Sequence, residues 1–140
     1  MRYLTIISLI FLSLGCGTAK KTAMKSNQLN GTWVPVKQEM GGTSLPKAAL
    51  QQKLIIDDNG YTVIAESTDK GLIKYKDDDK MDIYSKDGVN AGKHFTALYK
   101  YQGGQLTICY NLTGDSYPQA FETKGKPTFF LSVFERAVNK

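Results

Sequence analysis

Few side chains in this sequence are equipped for chemistry. It holds one histidine, His94, and two cysteines, Cys16 and Cys109. With one imidazole a two-histidine zinc site cannot be assembled, and any nucleophilic relay would have to run through His94. His94 follows Lys93 at the start of a strand-like run, where a surface position is the ordinary expectation. Cys109 sits in the apolar run Leu106-Thr107-Ile108-Cys109-Tyr110, with no evident cation or helix N-terminus to lower a thiol pKa. It reads as a small buried hydrophobe. Asp77-Asp78-Asp79 concentrates carboxylates but lacks the alternating ligand spacing and central glycine of a calcium loop, and reads as a solvated turn. No glycine-rich phosphate loop opens a helix. The chain is therefore read as non-enzymatic, with no metal site and no cofactor. Only a pair of carboxylates brought together across a cleft is left open by the sequence.

The formal charge of +5 invites an anionic partner until it is located along the chain. Arg2, Lys20, Lys21 and Lys25 precede the part read as folded, and residues 30–140 carry 14 basic against 13 acidic side chains. So small a balance gives no basis for a groove that tracks phosphates, and no nucleic acid partner is expected.

The N-terminal stretch has the pattern of an export signal. Arg2 is followed by an apolar run from Tyr3 to Leu14, interrupted by Thr5, Ser8 and Ser13, and then by Gly15 and Cys16. A run of that length is too short for a membrane-spanning helix, which needs about 20 apolar residues. Ser13-Leu14-Gly15-Cys16 resembles the lipobox of bacterial lipoproteins, with Ser13 at a position usually held by Leu. The resemblance implies cleavage after residue 15, a lipid such as diacylglycerol and palmitate on Cys16, and attachment to a bilayer. The other reading is a plain secretory signal with a chance cysteine. With Cys16 lipidated, Cys109 would have no disulfide partner despite an oxidising compartment. Gly17 is not the Asp that resembles an inner-membrane retention signal, so the expected location is the bacterial cell envelope, at the outer membrane and facing the periplasm. Residues 16–28, rich in Lys, Thr, Ser and Asn, read as a flexible tether, and residues 29–140 as one domain.

That domain is built of short strands punctuated by turn residues. Strands are expected from Thr32 to Met40, Lys53 to Asp57, Tyr61 to Ala65, Leu72 to Lys76, Met81 to Ser85, Phe95 to Tyr101, Leu106 to Tyr110 and Thr128 to Arg136. Pro35 inside the first implies an edge, a bulge or a bend. Asn59-Gly60 between two β-branched runs is a strong hairpin signal. Pro46 to Lys53 has the pattern of a short helix suited to closing one end of a barrel. Asn111 to Pro127 is the longest segment without a strand pattern, a length usually functional or mobile. Eight successive strands with tight connections predict an all-β, antiparallel up-and-down barrel, with a β-sandwich of immunoglobulin type as the alternative.

Gly31-Thr32-Trp33 at the head of the first strand and Arg136 at the tail of the last resemble the lipocalin, or calycin, signature. The resemblance implies that the arginine packs across the tryptophan at the closed end. Further blocks, including Leu29-Asn30-Gly31-Thr32-Trp33, Gly41-Gly42 with Leu45-Pro46, Tyr61-Thr62-Val63, Ala91-Gly92-Lys93, Leu98-Tyr99-Lys100-Tyr101, Leu106-Thr107-Ile108-Cys109 and Pro118 with Phe121, resemble an uncharacterised lipocalin-like domain family of bacterial exported proteins. The chain departs from that family at Tyr117, where an Arg is usual. The family implies a fold and a compartment, with no established ligand or reaction.

Two functions follow from these expectations. A hollow barrel would bind a small apolar or amphipathic molecule, with Tyr75, Tyr84, Phe95, Tyr99, Tyr101, Tyr110 and Tyr117 as candidate contacts, although core packing accounts for the same aromatics. A barrel filled with side chains would instead be an envelope interaction module working through its loops, above all Asn111 to Pro127 with Tyr117. Protein partners and oligomeric state are not written in the sequence.

Overall fold

The structure, a computed structural model, describes residues 27–138. Cys16, the export signal and most of the tether lie outside the described residues.

Alternation of inward and outward side chains builds nine strands: β1 (Gly31–Met40), β2 (Thr43–Ser44), β3 (Lys53–Asp57), β4 (Gly60–Ile64), β5 (Thr68–Tyr75), β6 (Lys80–Asp87), β7 (His94–Gln102), β8 (Gln105–Asn111) and β9 (Phe129–Arg136). From β3 onward each strand pairs antiparallel with the next, and β1 pairs with both β3 and β9. Eight strands thus close into an up-and-down barrel, and β2 adds two residues against the end of β1. A two-layer sandwich is excluded, because one continuous sheet meets itself along the β1–β9 seam. Closure leaves no long unpaired edge.

Local chemistry explains the connections. Gly103 and Gly104, at φ +60° and +77°, make the two-residue turn from β7 to β8. The β3–β4 turn lies one residue earlier than the Asn-Gly signal predicts: Gly60 pairs with Asp57, and the loop is Asp58-Asn59. Asp58 takes positive φ because Asn30 clamps it, accepting from the Asp58 amide at 2.8 Å and donating to its carboxylate at 2.9 Å. Pro35 sits beside a register shift against β9, as its missing donor requires. The expected helix at Pro46 to Lys53 is only a 3-10 turn, Lys47–Ala49. None of its side chains is buried, so nothing offsets the cost of nucleating a longer helix.

The barrel has two unlike ends. Residues 29–33, the turns after β3, β5 and β7, and Arg136 gather at one end, which is sealed by Leu29, Trp33 and Leu106, all essentially without exposure. The other end carries the longer connections. One of these, residues 112–128, straps across the outer wall and buries Cys109, Pro118 and Thr123. Asn111 organises the strap, donating to Asp115 and to the Ser116 carbonyl and accepting from Thr113. Thr96 also donates to the Ser116 carbonyl, and Thr123 donates to Glu39 of β1.

Candidate ligand-binding site

Strand parity turns Leu54, Ile56, Val63, Ile73, Met81, Ile83, Phe95, Ile108, Tyr110, Phe130 and Phe134 toward the barrel axis, and between them lies a cavity of about 410 Å³. Its walls are overwhelmingly aliphatic and aromatic. Polar groups enter only toward the open end, as Gln52, Tyr61, Asp69, Asn90 and Lys93. A concave apolar chamber with a few convergent polar groups is the usual form of a small-molecule site.

The one buried charged residue among those polar groups is Asp69, 7 % exposed. Its Oδ2 accepts from the Tyr61 hydroxyl at 2.8 Å, and its Oδ1 accepts from Ser85 Oγ at 2.8 Å and from the Asn90 amide at 3.2 Å. Burial, with the Asp69 carboxylate beside it, pushes the Tyr61 phenol up to about 12, so it remains a donor across the ordinary range of pH. Gly71 makes this arrangement possible. A Cβ there would collide with the Tyr84 carbonyl and come within 2.8 Å of the Tyr61 ring. Sequence reasoning begins β5 at Leu72 and so misses Asp69, because one acid and one glycine interrupt the apolar alternation. The available signal was parity: Asp69, Gly71, Ile73 and Tyr75 occupy successive inward positions.

The aromatic candidates separate into four groups. Phe95 and Tyr110 line the cavity, and burial pushes the Tyr110 phenol upward. Tyr75 and Tyr99 also point inward but pack edge to face with ring centroids 5.8 Å apart, within the buried core and away from the cavity wall. Tyr101 belongs to the sealed end, its ring edge-on to Trp33 at 5.7 Å. The Arg136 guanidinium lies 4.3 Å from the Trp33 ring centroid and donates to the Gln28 and Asn30 carbonyls at 2.6 and 2.7 Å. Trp33 Nε1 donates to the Leu29 carbonyl at 2.8 Å. Gly31, at φ +137°, leaves room for the guanidinium: a Cβ would approach Arg136 Nη1 to 2.5 Å.

Tyr84 and Tyr117 lie on the outer wall. Tyr84 stacks on His94 with centroids 4.7 Å apart, and Tyr117 in the strap donates to Asp82 Oδ1 at 3.0 Å. His94 Nε2 meets the same oxygen at 2.9 Å, and Lys76 approaches Oδ2 at 3.6 Å. Burial pushes the Asp82 carboxyl up, but the His94 and Tyr117 hydrogen bonds and the Lys76 charge outweigh it and leave the group below its ordinary value. The lone histidine therefore braces Asp82, the residue that accepts from Tyr117 of the strap. Burial also raises the Cys109 thiol beneath the strap, which makes it a poor nucleophile. Among the described residues no cluster of His, Cys, Asp and Glu is arranged to hold a metal ion.

No protein-family model and no curated protein matches the chain. Among solved structures it is similar to a mutant of the fluorescent protein UnaG, with 14% identity and a TM-score of 0.41 over 81% of this chain and 99% of that one. The barrel assignment rests on the strand pairings described above.

Proposed function

We propose that this protein is a non-enzymatic carrier or sensor of a small, predominantly apolar molecule, held at the bacterial envelope by a lipid on Cys16. The cavity carries the reading: about 410 Å³ of space with apolar walls lies inside a barrel sealed at one end, at a volume typical of small-ligand pockets. Side chains as large as those present could have filled it, as they fill the opposite half. The alternative, an interaction module with a packed interior, is disfavoured by that space and by the strap's extensive bonding to its own wall.

Thermal unfolding in the presence of a panel of lipids and hydrophobic metabolites tests the carrier reading. A ligand at a hundred times its Kd stabilises by about 2.7 kcal/mol. Ile83→Trp, which places an indole in the cavity, is expected to abolish that shift while the barrel still folds. A panel in which nothing shifts the wild type, or a shift that survives Ile83→Trp, would overturn it. Envelope anchoring is tested separately: cells fed radioactive palmitate should label the wild type and leave Cys16→Ser unlabelled.

A further inference from the structure

We infer that the ligand carries a hydrogen-bond-donating cationic group, an ammonium on an apolar body, which docks on Asp69. The inference rests on the carrier reading and specifies its ligand class. Asp69 lines the cavity wall, is more than nine-tenths buried, and is held by three neutral donors. A carboxylate offers about four acceptor positions, so three donors leave one unused. By atom, Oδ1 accepts two of these protein bonds and Oδ2 accepts one, which places the remaining acceptor position on Oδ2.

Charge balance points the same way. Among the described residues the ion pairs join Lys37 to Glu39 and Lys76 and His94 to Asp82, and Asp69 takes part in none. A buried carboxylate with hydrogen bonds but no counter-ion costs free energy that a cation in the cavity would recover. Among the described residues the one cation on the cavity lining, Lys93, is exposed at the rim, where its ammonium donates to Asn90 Oδ1 at 3.2 Å. Its field is screened by water, whereas that of Asp69 acts within an apolar chamber. An anionic head group entering the cavity would meet Asp69 at close range and be repelled. A neutral alcohol would make the hydrogen bond without the charge gain, and an ammonium makes both.

Three probes with one decyl body and different heads, decylamine, decanol and decanoate, test the inference by titration calorimetry on the wild-type protein below their micellar concentrations. The expected order is ammonium tightest by roughly tenfold over alcohol, with carboxylate weakest. Asp69→Asn, shown folded by circular dichroism, is expected to bring the ammonium within about threefold of the alcohol. The wild-type order stands as a test even where that variant does not fold. Decanoate binding as well as decylamine, or an ammonium preference that survives Asp69→Asn, would overturn the inference and leave the cavity reading intact. Binding of none of the three would overturn the carrier reading for this body and take the inference with it.

Discussion

Arg136 shows how one exposed side chain can hold two distant parts of the chain together. Its guanidinium covers the Trp33 ring and reaches the Gln28 and Asn30 carbonyls, so the last strand is fixed to the entry of the first. Truncating Trp33 to Ala is expected to cost roughly 3–5 kcal/mol, the range for a fully buried large aromatic, measured by urea unfolding. Arg136→Ala is expected to cost on the order of 1 kcal/mol, because the cation is solvent-accessible and its carbonyl partners can turn to water. A double-mutant cycle should find the two coupled, and independence would remove the stacking account. Gly71→Ala is expected to destabilise by about 1–3 kcal/mol, since neither the Tyr84 carbonyl nor the Tyr61 ring can yield freely. The same fold with a displaced Tyr61 hydroxyl should also loosen Asp69. Trp33 and Arg136 were legible in the sequence because each is a rare type at an end of the strand series, and Gly31 because it stands two residues before the single tryptophan. Asp69 was not, because an inward acid looks like the end of a strand until its partners from β4, β6 and the following turn are in place.

Among the elements, the strap over residues 112–128 is the least regular and yet firmly attached. Asp82 binds it through Tyr117 from an outward position on β6, with His94 beside it. Because the Asp82 carboxyl is held below its ordinary value of 3.8, its contribution is present above that value and is lost as pH falls through the lowered one. Acidification below about pH 4 is therefore expected to lower amide-exchange protection factors, rates taken relative to the unstructured chain at the same pH, across the strap before the barrel opens. Asp82→Asn should exchange faster at about pH 6 and show a weaker acid limb, and an unchanged acid limb would assign the loosening to other carboxylates. The eight barrel strands were readable from alternation and turn residues, although β5 begins at Thr68 and not Leu72, and of the edge, bulge or bend open at Pro35 the structure has a register shift. The short helix expected after Pro46 is present but extends no further than a 3-10 turn, since its pattern has no partner surface to bury against. The strap's bonding pattern was hidden, because the hydrogen bonds that Asn111 and Thr96 donate and that Glu39 accepts follow no period in the sequence.

At the scale of the molecule, stability depends on closure between segments about a hundred residues apart, Trp33 with Arg136 and Glu39 with Leu131. Ser132, wholly buried beside Gln38, lies in the middle of that seam. Ser132→Pro removes a ladder donor there and is expected to cost about 3 kcal/mol or more. A single cooperative transition at lower denaturant would show the seam to be integral, whereas a separate early transition would show a barrel that tolerates opening. The closed topology was legible because the number of strands and the brevity of their connections admit few alternatives. The hollow half was not, since volume is a difference between large quantities that composition does not reveal. The sealed end also holds both limits of the described chain, Gln28 beside Arg136, while Lys93 and Asn90 stand at the opposite rim. Anything grafted at residue 27 or 138, whether bead, reporter or acyl chain, would therefore grip the foot of the vessel and keep its opening turned to the surrounding fluid.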